Sequence, residues 1–402
     1  MKSATSALTV LAFAGFSLAQ TPTTDAAALS AAASAEAASG TILVEKRFTY
    51  PGGVPYRVDV SNGPRGLQTG YNLCNSTTEG PTSLCQTAFL SSIEDFCLWG
   101  PQEPNSIVGD TEGEMVAWCT RPGKGTRLIP EGTIRGMQFI TTPGYVQITG
   151  TLDQSRINIA TGDYGGELDS AGADQRGNPL GGLLFTQAFS NTSDLTESTP
   201  YTQVIRWHLF LGNDHFCLKA CRPGGDDYRL CEHIYDRIGA RYNCLAETPE
   251  DYFETCQGEN QEYPGVYTSD GQVYTYTQPP ESLGPITSIP YTPVLPASSN
   301  CVTMTSSLIF TAAAAIASSA SASSASRASV ASASSASLAS VAAGTASTSP
   351  NAAATSVPTG APASTATAVS DNSVSGATHD HQDPIIIFAS ATFLLSMITL
   401  VL

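Results

Sequence analysis

The sequence predicts a mainly β domain, β-sandwich-like and disulfide-bonded, with a few short helices, followed by a disordered Ser/Ala-rich stalk. Three observations carry this. Apolar and polar residues alternate with period two from Gln203 to Cys221, around a turn at Asn213-Asp214. All ten cysteines fall between Cys74 and Cys301. Aromatics, cysteines and turn residues occur together only from Phe48 to about Cys301, and the flanks are rich in Ala, Ser and Thr.

The first residues belong to targeting. Met1-Lys2 opens a short basic region, Ala7 to Leu18 is apolar, and Ser17-Leu18-Ala19 offers small residues at a cleavage point. Residues 1–19 therefore read as a secretory signal peptide cut after Ala19. Residues 20–47 are of low complexity, and the Ala/Ser/Thr stretch to Gly40 lacks the apolar area that folding requires. They end at Lys46-Arg47, either a kexin-type processing site that frees a mature chain at Phe48 or an ordinary exposed basic pair. Residues 48–303 suffice for one large head or two small domains.

Within the head, Ser83 to Trp99 carries apolar residues at helical spacing, with Ser83 and Gln86 as a capping box and Gly100-Pro101 as a stop. Cys85 and Cys97 share the apolar stripe of that expected helix. Met137–Ile140 and Tyr145–Thr149 read as strands joined through Thr142-Pro143-Gly144. In the 203–221 hairpin a two-residue turn sets Leu211 opposite Phe216, Leu209 opposite Leu218 and Trp207 opposite Ala220, which makes one face wholly apolar. The other face carries His208, Phe210, Cys217, Lys219 and Cys221, a pattern that suits a cover pinned by two disulfides. Asp227 to Ile238 reads as a short helix stopped by Gly239.

Cys74, Cys85, Cys97, Cys119, Cys217, Cys221, Cys231, Cys244, Cys256 and Cys301 form an even set in an oxidising compartment, so disulfides are expected. Zinc is the competing reading, and only Cys217-x3-Cys221 has close spacing for it. Five bridges among ten cysteines allow about 945 pairings, so connectivity stays open. The formal charge of −17 excludes nucleic acid and anionic lipid as partners, because both require a cationic face. Asn75 and Asn191 head N-glycosylation sequons.

Residues 304–377 form an Ala/Ser/Thr stalk whose hydroxyls are natural O-glycan acceptors. Residues 378–402 combine a polar spacer with eighteen almost wholly apolar residues from Ile385, preceded by small residues around Ser373 and Ser375. That is the pattern of a glycosylphosphatidylinositol (GPI) attachment signal, with Ser375 or Ser373 as acceptor. A membrane-spanning helix is the alternative, but no cationic residue follows to hold its orientation.

Candidate chemistry centres on Gly162 to Asp174. Asp163, Glu167 and Asp169 can present paired carboxylates for acid/base work, and with Asp174 they form a calcium candidate, although the EF-hand spacing is not met. A structured surface loop is the plainer reading, so neither a metal nor a cofactor is assigned. A second acidic loop, Gly109 to Glu114, leads into Trp118-Cys119. His208, His215 and His233 form no metal set, since the hairpin register separates the first two by about 13 Å. Gln20 and Phe48, the two candidate mature N-termini, are not histidine, which excludes an N-terminal copper brace. Tyr145, Tyr164, Tyr274 and Tyr276 can stack on sugars or fill a core.

The strings GDTEGEMVAWCTRPGKGTRLIP from Gly109, GDYGGELDSAGADQRGNPLGGLLF from Gly162, CEHIYDRIG from Cys231 and ESLGPITSIPYTPVLPASSNCVT from Glu281 resemble a family of fungal secreted glycoproteins labelled macrophage-activating glycoprotein. The resemblance covers residues 40–303. It implies a secreted or surface-anchored protein and carries no assigned reaction. The family often has Pro-His where this chain has Ser170-Ala171, which counts against catalysis here. The reading is a non-enzymatic, GPI-anchored cell-surface or wall glycoprotein, engaged in adhesion or glycan recognition. Its partners would be wall glycans or surface proteins, with the outer leaflet reached through the lipid. A carbohydrate-active enzyme using Asp163, Glu167 or Asp169 is the first alternative, and a purely structural wall protein the second.

Overall fold

The structure, a computed structural model, describes residues 26–38, 40, 42–190, 195–196, 198–247, 250–307 and 309–310. The signal peptide with Ala19, the sequon residue Asn191, most of the stalk, Ser373, Ser375 and residues 378–402 lie outside them. The chain runs through strands β1 (Thr87–Phe89), β2 (Cys97–Gly100), β3 (Val116–Cys119), β4 (Arg127–Leu128), β5 (Ile134–Thr141), β6 (Tyr145–Leu152) and β7 (Gly166–Asp169). It continues through β8 (Leu183–Thr186), β9 (Thr202–Val204), β10 (Arg206–Gly212), β11 (His215–Cys221), β12 (Phe253–Gly258), β13 (Val266–Ser269), β14 (Gln272–Thr275) and β15 (Ser298–Met304). The helices are short: α1 (Ala26–Ala37), α2 (Val108–Thr111) and α3 (Ala240–Asn243), with several single 3-10 turns. The fold is mainly β, as the sequence predicts.

The main sheet has seven strands in the order β15-β12-β5-β6-β11-β10-β7. All its pairs are antiparallel except β12 with β5. Two three-stranded sheets, β1-β8-β9 and β2-β3-β4, and the two-stranded β13-β14 hairpin accompany it. One face of the main sheet presents Leu168, Leu209, Leu218, Ile148 and Phe139 to the core. Against it pack Trp99 and Phe96 from the β2 side, each stacked on a main-sheet aromatic: Trp99 on Trp207, Phe96 on Phe216. The expected hairpin register holds at every named pair. Asn213 and Asp214 both take left-handed backbone angles, φ 53° and 55°, the conformation of a type I′ turn that matches strand twist.

The opposite face is polar and buried. His208 and Lys219 sit side by side there, both 0 % exposed. The Lys219 ammonium donates to the Asn243 carbonyl and to Gln261 Oε1, and lies over the Tyr145 ring. The cover is the segment 227–246, held by Cys217–Cys244 and Cys221–Cys231. Cys74–Cys85, Cys97–Cys119 and Cys256–Cys301 complete five bridges, with no free cysteine.

Three expectations are corrected. Ser83 to Trp99 is not a helix: it forms β1 and β2 around a turn at Ser91–Asp95, closed by Asp95 N–H donating to the Ser92 carbonyl. Nearly every residue from Cys85 to Gly100 is buried, so both strand faces are apolar and the helical spacing arises by coincidence. Cys85 and Cys97 accordingly bond to different partners. Asp227 to Ile238 is two 3-10 turns, Asp227–Cys231 and Asp236–Ile238, because the Cys221–Cys231 bridge holds the chain in extended passage at Glu232. Finally, the stretch read as unable to fold contains α1, whose Ala33 joins the core cluster with Leu43. Small side chains let that helix lie close to the body, and the body supplies the apolar area the segment lacks. Lys46 is buried as well, its ammonium donating to the Ala37 carbonyl at the end of α1 (2.7 Å) and to the Val58 carbonyl (3.0 Å).

Candidate functional site

Strand β7 carries Glu167 and Asp169 two residues apart, so both side chains leave the same face while Leu168 enters the core. Pairing sets Glu167 opposite Phe210 and Asp169 opposite His208, on the covered face of the main sheet. Two other segments bring carboxyls to them. Glu112 arrives from the 3-10 turn Glu112–Glu114, and Asp236 from the cover. Glu112, Glu167 and Asp236 line a cleft of about 850 Å³, together with Tyr164, Phe210 and Cys244. Gly165 and Gly212 pack backbone to backbone at its edge: a Cβ on Gly212 would lie 2.1 Å from Gly165 Cα. That approach sets Tyr164 on the rim, 88 % exposed.

The electrostatics of the cluster are unusual. Glu112 Oε2 accepts from Asn178 Nδ2 (2.7 Å), and Asn178 Oδ1 accepts from Arg65 (3.1 Å). Arg65 itself pairs with Asp174, and Arg237 donates to the Pro279 and Gly284 carbonyls. Among the described residues, no Lys or Arg forms an ion pair with Glu112, Glu167, Asp169 or Asp236. Burial, reinforced by the neighbouring carboxyls of Asp169 and Asp236, pushes the Glu167 carboxyl well above the usual range. Burial raises Asp236 to about 7 and also raises Glu112, the latter opposed by the Asn178 bond. Glu167 Oε1 and Asp236 Oδ1 are buried and have no hydrogen-bond partner.

The four sequence candidates do not gather. Asp163 is spent on backbone, its oxygens accepting from Val108 N–H (2.8 Å) and Gly165 N–H (3.2 Å). Asp174 pairs with Arg65 and Arg176. Asp169 Oδ1 accepts from the Ala171 and Gly172 amides. Glu167 and Asp169 alone stay together. Among the described residues, the atoms spaced closely enough to share an ion are those of Glu254, Cys256 and Cys301, and those two sulfurs are bonded to each other.

The first and second acidic loops do meet, through Glu112 and Glu167. No family model matches the chain, and no solved structure matches it. Appressorium protein ROW2 of Mycosarcoma maydis is 43% identical over 222 residues, 54% of this chain and 72% of ROW2. Appressorium protein ROW1 of the same fungus is 44% identical over 201 residues, 50% of this chain. This chain belongs to the fungal family of ROW2. It spans 46% of ROW1, less than half of that longer relative.

In this member of the ROW family the histidines stay apart. His208 is enclosed, its Nε2 3.6 Å from Cys244 Sγ, and burial with the nearby Lys219 holds it well below its ordinary pKa. His215 lines the cleft, and His233 lies in the cover beside Cys231. Of the candidate sugar-stacking rings, Tyr145 is core, with burial pushing its phenol up to about 12. Tyr164 is open and Tyr274 is 45 % exposed. Asn75 is exposed on its loop. Asp236 was not among the sequence candidates, since a single acid in an expected helix reads as part of a solvated face. Among the described residues, no helix is long and apolar enough to cross a membrane.

Proposed function

We propose that this chain is a fungal cell-surface or wall glycoprotein, GPI-anchored through Ser375 or Ser373, whose head recognises wall glycan in the acidic cleft. Relatives named for the appressorium, where a fungus presses its wall against another surface, support a surface role. The resemblance to glycoproteins labelled macrophage-activating supports secretion, with glycans at Asn75 and Asn191 and on the stalk. The observation that carries glycan recognition is the cleft itself. An open Tyr164 ring stands beside carboxyl oxygens without partners. A ring to stack on a pyranose and acceptors for its hydroxyls are what sugar binding requires. The purified head is tested for retention on insoluble wall polysaccharides, where wild type binds and Tyr164→Ala does not. Equal retention of both would end this reading.

A second reading has its own observation. A carboxyl whose pKa burial pushes well above the usual carboxylate range, as it does for Glu167, is what a glycosidase needs as general acid. Carbohydrate-active chemistry would then use Glu167 with Asp169, Glu112 or Asp236, and Asp163 would stand aside. Release of reducing ends from glucan, abolished by Glu167→Gln, decides for it. A purely structural wall protein predicts neither retention nor release.

A further inference from the structure

We propose that the cleft selects glycans bearing free amino groups, the class of glucosamine polymers, over neutral or N-acetylated ones. This rests on the glycan reading above and narrows it. Glu112, Glu167 and Asp236 line the cleft from three separate segments, with Asp169 two residues from Glu167 on β7, and among the described residues no Lys or Arg forms an ion pair with any of them. Arg65 is committed to Asp174 and reaches the cluster only through Asn178. Arg237, on the cleft wall, is turned to backbone carbonyls. Arg241 is exposed at the cleft and, among the described residues, forms no ion pair.

Two buried carboxyl oxygens, Glu167 Oε1 and Asp236 Oδ1, lack any donor. A buried acceptor without a partner is destabilising, more so if ionised, so a ligand that supplies donors here gains what the empty site forfeits. A neutral sugar hydroxyl offers one donor and no charge. An ammonium offers three donors, and its positive charge favours the ionised carboxylates that burial alone disfavours, so its binding is coupled to release of the protons the empty site retains. A metal ion would supply charge too, but the carboxylates of this cluster are not among the atoms spaced closely enough to share one. The ligand also has to fit Tyr164, 88 % exposed at the rim, which suits a flat pyranose face and does little for a simple polyamine. An amino sugar satisfies both ends of the site.

Calorimetric titration of the purified full head with glucosamine, N-acetylglucosamine and glucose oligomers of equal length tests this, with hexalysine as a charge control. The glucosamine oligomer is expected to bind at least about tenfold more tightly than the other two sugars, the gain of one good charge-assisted contact. Glu167→Gln with Asp236→Asn should remove that preference, while Tyr164→Ala should weaken every sugar and leave the preference intact. Folding of each variant is checked by its melting transition, and Tyr164→Ala, at an exposed site, keeps the test open if the double variant fails to fold. Acetylated or glucose oligomers binding as tightly as the amine would overturn this inference and leave glycan recognition standing. Hexalysine matching the glucosamine oligomer would also overturn it, by reducing the effect to bulk charge. No sugar binding at all would remove both readings.

Discussion

Trp99 and Trp207 stack with ring centroids 4.3 Å apart and planes 23° apart, and this pair fastens the β2-β3-β4 sheet to the seven-stranded sheet. Both rings are essentially fully buried. Neither has a neighbour able to fill its volume, because interiors pack at near-crystalline density. Trp207→Ala should therefore cost about 3–5 kcal/mol. Denaturant unfolding followed by far-UV circular dichroism reads this, and a loss under about 1 kcal/mol would mean the two layers are held elsewhere.

Stability should fall as the pH rises from about 4 to about 7. Asp236 is raised from 3.8 to about 7, and Glu167 is raised well above 4.5, in both cases first by burial. Between the ordinary and the raised values the folded chain keeps protons that the unfolded chain has released, so each step up in pH favours unfolding. Below the ordinary values both states are protonated and the effect is fully absent. Melting temperatures across this range should decline for wild type and flatten for Glu167→Gln. A profile that rises toward neutral pH in wild type would show the cluster to be ionised when folded.

The cover segment depends on its staples. Cys221–Cys231 closes a loop of ten residues and holds the 3-10 turn Asp227–Cys231 against β11. Replacing both cysteines by Ala should cost about 2–3 kcal/mol, chiefly by freeing the unfolded chain. Beyond that loss, Lys219 should gain water. Hydrogen exchange of the β11 amides is expected to accelerate locally, ahead of global opening. Unchanged protection at Lys219 would show that Asn243 and Gln261 hold the cover without the bridge.

The hairpin was legible from Arg206 to Cys221 because two independent signals agree, strict alternation and a two-residue turn of Asn213-Asp214 at positive φ, whereas Gln203 and Val204, read as its start, belong to β9 and pair with β8 in another sheet. The same logic found Tyr145 and its partner strand. Alternation fails where both faces are buried, and there Cys85 to Trp99 mimics a helix. Composition failed at α1 for a different cause: Ala33 contributes little area of its own but fits where a larger residue would not. The carboxyl cluster was half legible. Glu167 and Asp169 stand out in the chain, and the loop of Glu112 was recognisable as acidic. Their meeting with Asp236 is set by the disulfide-pinned path of the cover, which no local pattern encodes.

The dibasic pair should resist cleavage once the head has folded. A kexin-type protease must take both basic side chains from an extended, accessible strand. Arg47 is exposed, but its neighbour Lys46 is 5 % exposed and turned inward. Its ammonium accepts no role from solvent: it caps the end of α1 through the Ala37 carbonyl and ties it to Val58. Drawing Lys46 out would break both bonds and lift Leu43 and Val44 from their buried seats. Incubation of the purified protein, with residues 26–47 in place, with such a protease should leave most of the chain starting before Phe48. Lys46→Ala should loosen the segment, costing about 1–3 kcal/mol, and raise the rate of nicking at nearby exposed bonds by nonspecific proteases. Rapid, complete cleavage after Arg47 in the native protein, read by N-terminal sequencing, would show that residues 26–47 detach readily and contribute little to the body.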